Sequence, residues 1–336
     1  MAQHTTEPLA EFRRSNTASG VAVITAALMV GLAPFATSEA AATAFAAGRT
    51  GWEDIVRERV EIPMDGGWVA KGELSYPRGA EGRLPTVVLL HGSGLNDMDQ
   101  ALSGSDSTFK PIAQAVNRQG FAVLRFNKRG VLGVGPLLTD DPAQLYPKKP
   151  YEQVLRDAAA AVRFAQKHKR VDANRLFLLG HSEGTMVASN LAADPQRFGI
   201  VEPAGVVMLG VVGGGPRETL YYQSIGAQLG LLHEGAPKGS DAYLEDIARF
   251  ALPADDLPLY CGPVLLLNGE NDIQTRTSGA IATDAALTRA GHKDHRLITY
   301  PGLGHLMNQT SEYSPGVGNP DEAVINDVTS WLTKHR

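Results

Sequence analysis

The apolar positions of this chain follow two rhythms. In residues 57–63 and 67–76 they alternate with polar ones around Asp65-Gly66-Gly67, which predicts two antiparallel strands and a hairpin turn. Further on they gather in short unbroken runs. Thr86–Leu90, Phe121–Phe126, Leu176–Leu179, Val206–Leu209, Val264–Leu267 and Arg296–Tyr300 each read as a strand. Stretches of helical character separate them: 108–118, closed by Gly120; 151–168, with Val154, Leu155, Ala158 and Val162 on or near one face; and the small-residue segment Thr185–Ala193. A last helix runs from about Asp321 to Leu332, where Val324, Val328, Trp331 and Leu332 repeat at helical spacing after Asn319-Pro320. Strands alternating with helices predict an α/β fold, a mostly parallel central sheet flanked by helices. Two stretches fall outside this plan, 131–150 and 213–260. The second carries Tyr221, Tyr222, Ile225, Leu229 and Leu232 at roughly helical spacing and a further helical piece at Asp241–Phe250.

The run Leu176–Leu179 leads into Gly180-His181-Ser182-Glu183-Gly184. This is G-x-S-x-G between a strand and a helix, the context of a nucleophile elbow. The glycines leave room for a strained turn that projects Ser182 above the sheet edge. Two later strands also end in polar loops: Val264–Leu267 in Asn268-Gly269-Glu270-Asn271-Asp272, and Arg296–Tyr300 in Pro301-Gly302-Leu303-Gly304-His305. Each candidate lies just past the C-terminal end of a strand, the edge where open α/β sheets keep their active sites. A serine hydroxyl is a weak nucleophile until a base takes its proton, and the base needs a carboxylate to fix its tautomer. The pattern therefore assigns Ser182 as nucleophile, His305 as general base and Asp272 as acid, with Glu270 the alternative acid in the same loop.

The remaining histidines fit the base less well. His181 adjoins the serine and should point away from it. His91 should brace the turn after Thr86–Leu90, and His292 and His295 precede the last strand, at the opposite edge. An oxyanion requires preorganised donors. The backbone N–H of Glu183, at a helix start, is one; that of Ser93 is the other, with Gly94 as its alternative. The Glu183 carboxylate has no part in this chemistry and is expected to pair with Arg129. Asp97 and Asp99 are expected to stabilise their turn by hydrogen bonds.

Taken in order, His91-Gly92-Ser93-Gly94-Leu95-Asn96-Asp97-Met98-Asp99, Asn127-Lys128-Arg129-Gly130-Val131 and the elbow resemble the α/β-hydrolase superfamily across roughly residues 55–335. They look most similar to its bacterial esterases and dipeptidyl-peptidase-like hydrolases. The chain departs from that pattern at Asn127, where Asp is usual, at Thr185, where a second glycine is common, and in a long insertion after Gly130. The resemblance implies a serine hydrolase that cleaves small-molecule carboxylic esters through an acyl-enzyme, with no cofactor. Thioester, lactone or peptide cleavage and acyl transfer would use the same triad. A non-catalytic binding protein is the alternative outside the enzymes. The resemblance also implies that 213–260 forms a small helical cap over the catalytic edge.

Composition narrows the setting. Of 336 residues, 43% are hydrophobic and 20% charged, with a net charge of −5, so the chain offers no basic footprint for nucleic acid. Its one cysteine, Cys261, cannot form an intramolecular disulfide and is expected to be a buried thiol at a strand start. No Cys/His spacing suited to a metal occurs. At the N-terminus Arg13-Arg14 precede an apolar run, Val21–Phe35, and small residues follow between Ala36 and Ala47. This is the layout of a signal peptide and leader over residues 1–48. The run falls short of the roughly 20 residues of a spanning helix. The expectation is a secreted or periplasmic protein, with the cytoplasm as the alternative, and no stable membrane insertion after cleavage.

Overall fold

The alternating segment forms β1 (Ile55–Pro63) and β2 (Val69–Pro77) in this computed structural model, antiparallel, with Ile55 opposite Pro77 and Pro63 opposite Val69. The structure describes residues 52–103, 106–135, 149–215, 218, 219, 221, 241–310 and 318–336. All of them lie in one unit, Thr50–Arg336.

The unbroken apolar runs become β3 (Leu84–Leu90), β6 (Ala122–Phe126), β7 (Val171–His181), β8 (Gly205–Leu209), β9 (Val264–Gly269) and β10 (His295–Tyr300). A short ribbon, β4 (Ala101–Ser103) and β5 (Asp106–Ser107), stands apart. The main sheet has the order β1-β2-β6-β3-β7-β8-β9-β10. β2 pairs antiparallel with β1 and β6, and every pair from β6 to β10 is parallel.

The runs are apolar throughout because both faces are covered. Val88 and Leu90 of β3 and Leu176 and Leu178 of β7 face one core with α2 (Pro150–Lys167), α3 (Glu183–Ala193) and α6 (Thr277–Arg289). Val87, Leu89, Phe177 and Leu179 face the other, with α1 (Phe109–Arg118) and α7 (Glu322–His335). Each such side chain, fully buried, contributes about 1.5–3 kcal/mol. The helix after β3 thus covers one face and the helix after β7 the other. Chain connections diverge between these two neighbouring strands, and the crevice at their C-terminal ends is where ligands bind in open α/β sheets.

The sequence pattern does not show helix α6: of its buried residues Gly279, Ala280, Thr283, Ala286 and Leu287, only the last is large and apolar, so no stripe forms. Of the segment 213–260, the helical piece at 241–250 is present as α4 (Asp241–Ile247), followed by α5 (Pro253–Asp256). Tyr222, Ile225, Leu229 and Leu232 lie outside the described residues, as do the leader at 1–48 and residues 136–148 of the other insertion. Cys261 is exposed rather than buried. Tyr260 takes the inward position, 2% exposed with its hydroxyl donating to Pro203 O at 2.8 Å, and the turn before β9 leaves the thiol outside.

Candidate active site

Ser182 sits between β7 and α3 with φ 55° and ψ −123°, a conformation that costs about 1–3 kcal/mol for a residue with a side chain. The elbow is closed by contact. A Cβ on Gly184 would stand 2.1 Å from Leu90 O, and one on Gly180 would stand 2.1 Å from Gly184 O. Only glycine lets the start of α3 press against the end of β3 in this way. Ser182 N–H donates to Leu209 O at 2.9 Å. Thr185 uses its hydroxyl twice, donating to Ser182 O at 2.7 Å and accepting from Val212 N–H at 3.1 Å.

Asp272 and His305 are brought together by two interleaved loops. Asn271 N–H donates to Leu303 O at 2.9 Å, and its side-chain amide donates to Thr310 O at 2.9 Å. His305 Nδ1 then lies 2.9 Å from Asp272 Oδ2. All the remaining acceptor capacity of that carboxylate is addressed: Thr275 Oγ1 donates to Oδ2 at 2.6 Å, and the N–H groups of Gln274 and Thr275 donate to Oδ1, each at 2.8 Å. Burial pushes the Asp272 carboxyl up, but the His305 charge and the hydrogen bonds from His305 and Thr275 outweigh it and hold the group below its ordinary value. Glu270, the alternative acid, is exposed and accepts from Thr299 Oγ1 at 2.8 Å, away from His305.

The serine reaches this pair through Gly210. That glycine follows Leu209, the partner of Ser182 N–H, and a Cβ on it would lie 3.3 Å from Asp272 Oδ2 and 3.5 Å from His305 Nδ1. The three residues therefore meet at one edge of the sheet. Ser182 Oγ makes no hydrogen bond among the described residues, and catalytic contacts of this kind often tighten only with substrate.

The loop after β3 closes the other side. A Cβ on Gly92 would be 3.2 Å from Ser182 Cβ. The backbone N–H groups of Ser93 and Glu183 have no partner among the described residues, nor has that of Gly94. Ser93 directly follows the glycine that abuts Ser182, which favours it over Gly94. The Glu183 carboxylate ties three segments together. It accepts from Ser93 Oγ at 3.0 Å, from the Tyr243 hydroxyl of α4, and from Lys128 Nζ at 3.2 Å. Lys128 also donates to Gly92 O at 2.8 Å.

The expected pairing of Glu183 with Arg129 is therefore incorrect. Arg129 turns the other way, to a two-pronged contact with Asp157 of α2 at 2.6 and 2.8 Å, with the Trp68 ring over its guanidinium. Asp97 does stabilise its turn, accepting from the N–H of Asp99 and Ala101 at 3.1 and 3.0 Å. Asp99 instead pairs with buried Arg125. Asn127 holds the same loop, its Oδ1 accepting from Met98 N–H at 2.8 Å. His91 is wedged between Phe109 and Phe126, with ring centroids 5.2 and 5.1 Å away. Burial, and next the charge of Lys128, push it down to about 3.

Sequence reasoning overlooked Thr275 and Tyr243 and gave Lys128 no role. Only Thr275 carried a signal, the Asp272-x-x-Thr275 spacing at which a carboxylate can accept the following N–H groups. Among the described residues no cluster of side chains is suited to a metal ion.

The sequence model of the prolyl oligopeptidase family matches residues 107–335. The chain belongs to the prolyl oligopeptidase family. It is similar to Esterase EstD of Thermotoga maritima, 29% identical over 307 residues that cover 82% of this chain and 68% of that one. It is also similar to the uncharacterized peptidase YuxL of Bacillus subtilis, 21% identical over 83% of this chain but only 39% of that protein's length. Among solved structures, Est1E from Butyrivibrio proteoclasticus superposes with a TM-score of 0.57 at 17% identity, covering 82% of this chain and 98% of its own. At that identity the likeness speaks for the fold, which is that of the α/β-hydrolases. No helix among the described residues of this family member is long and apolar enough to cross a membrane.

Proposed function

We propose that this chain is a serine hydrolase that cleaves carboxylic esters of small molecules through an acyl-enzyme intermediate. The observation that carries the reading is the buried Asp272–His305 pair, 2.9 Å apart, at the sheet edge that also holds a serine at positive φ. His305 Nδ1 is committed to Asp272, so Nε2 is the nitrogen that moves the proton. Ser182 Oγ attacks the carbonyl carbon and gives its proton to His305. The oxyanion that forms takes the free N–H groups of Glu183 and Ser93. Collapse of the tetrahedral intermediate breaks the C–O bond to the alcohol, and His305 returns its proton to the departing oxygen. Water then repeats the sequence on the acyl-enzyme: it loses a proton to His305, attacks the acyl carbon, and releases Ser182, which recovers the proton. Asp272 stays ionised throughout and stabilises the imidazolium.

The esterase relative, matched over most of this chain, supports ester cleavage. The family itself and the peptidase relative favour a second reading, peptide-bond cleavage by the same residues. One experiment addresses both. Ser182→Ala should lower kcat for p-nitrophenyl acetate by about 10⁴-fold or more with an unchanged melting temperature. Retained turnover would refute the assignment. In the wild type, faster cleavage of peptide p-nitroanilides than of p-nitrophenyl esters would select the second reading.

A further inference from the structure

Two buried side chains beside the site take no part in the chemistry above. Gln100, 3% exposed, holds φ 48° in the loop after β3, a left-handed conformation fixed by Gln100 N–H to Asp97 O at 3.0 Å and Thr108 N–H to Gln100 O at 3.3 Å. His181 ends β7, one residue before Ser182. The two touch, with Gln100 Nε2 2.7 Å from His181 Nδ1. Each also reaches a loop of the site. Gly92 N–H donates to Gln100 Oε1 at 3.0 Å, and His181 Nε2 lies 2.8 Å from the backbone carbonyl of His305.

One arrangement of protons satisfies all three contacts with an uncharged ring. A carbonyl oxygen only accepts, so His181 Nε2 carries a hydrogen. Burial, and next the charge of His305, push the His181 imidazole down to about 3, so at neutral pH the ring is uncharged and Nδ1 is bare. A bare Nδ1 accepts, which turns the amide nitrogen of Gln100 toward it and the amide oxygen toward Gly92. The reversed amide would set N–H against N–H at Gly92 and require a charged ring in a site closed to water. The bonds thus run one way, from Gly92 through Gln100 and His181 to the His305 carbonyl. They join the two loops that flank Ser182: Gly92 abuts the serine side chain, and the His305 ring centroid is 4.8 Å from that of His181.

We infer that Gln100 and His181 are positioning residues, an uncharged hydrogen-bonded strut that sets the oxyanion loop at Gly92-Ser93 and the base His305 at fixed places relative to Ser182. The inference rests on the catalytic reading of Ser182 and His305 given above. Displacing a reacting group by about 1 Å costs on the order of 100-fold in rate.

Three variants and one spectrum test it. His181→Leu and Gln100→Leu remove the strut; His181→Gln keeps an N–H donor where Nε2 stood. With active sites counted by fluorophosphonate titration, kcat per site for p-nitrophenyl acetate should fall about 10- to 100-fold in both leucine variants, with KM nearly unchanged. His181→Gln should recover part of the loss. A side chain that only supports the fold would lower the number of titrated sites and leave kcat per site intact, and that result would overturn the inference. Independently of turnover, a ¹⁵N-histidine NMR spectrum of the wild type at pH 7 should show His181 uncharged and protonated at Nε2. A ring protonated at Nδ1, or at both nitrogens, would overturn it even if the leucine variants failed to fold. The tautomer reads the strut alone and Ser182→Ala reads the catalytic assignment alone, so their failures are distinguishable.

Discussion

Asp272 shows how much local chemistry one buried charge demands. Its side chain is fully buried, yet its carboxyl is held below the ordinary range by the adjacent His305 charge and by the donors that surround it. Thr275 supplies two of them, its hydroxyl and its backbone N–H. A hydrogen bond to a charged group contributes about 1.5–3 kcal/mol, and each 1.36 kcal/mol is tenfold in rate. If that bond supports the ionised acid through the transition state, Thr275→Val should reduce kcat on p-nitrophenyl esters about 10- to 100-fold with little change in KM. An unchanged kcat would mean that the hydroxyl serves only the loop. At the same scale, the Glu183 carboxylate, 5% exposed, is addressed at once by Lys128, Ser93 and Tyr243.

At the scale of elements, the elbow is a joint between β3 and α3 as much as a turn. Gly184→Ala would place a methyl 2.1 Å from Leu90 O, a backbone atom that cannot swing aside. The expected cost is about 1–3 kcal/mol or more, read as a lower denaturant midpoint, together with reduced kcat because the end of β3 leads into the loop proposed to hold the oxyanion. A variant with wild-type midpoint and rate would show that the joint is looser than these distances imply. The strands were readable beforehand because sheets covered on both faces leave unbroken apolar runs, and the polar loops that end them placed Ser182, Asp272 and His305 at one edge. Contacts across loops were not readable. Whether Glu183 meets Lys128 or Arg129 depends on which way two adjacent side chains leave one backbone, and no local pattern encodes that. The same holds for Cys261, displaced outward by Tyr260, and for Gln100, whose partners at positions 92 and 181 leave no periodic mark. Helix α6 escaped notice because Leu287 is the one large apolar residue it buries, beside glycine, alanine and threonine.

For the molecule as a whole, His91 and His181 predict how stability responds to acid. Both are held near 3 by burial, whereas the unfolded chain binds a proton on each near 6.5. Between those values the unfolded state carries more protons, so stability falls as pH drops from about 6.5 toward 3, by up to about 1.4 kcal/mol per pH unit for each ring. Asp272, with its lowered carboxyl, adds its own loss only below about 4. His91→Phe keeps an aromatic ring between Phe109 and Phe126 and removes one titrating group, so its melting temperature should depend less steeply on pH from 6 to 4. An identical slope would contradict the burial of an uncharged His91. The central claim, that Ser182 is the nucleophile of this site, is tested most directly by labelling the protein with a fluorophosphonate and mapping the adduct by mass spectrometry. The structure predicts a single adduct on Ser182, in the peptide containing Gly180-His181-Ser182-Glu183-Gly184, and its loss when Asp272–His305 is broken by His305→Ala. An adduct on another residue, or undiminished labelling of Ser182→Ala, would contradict it.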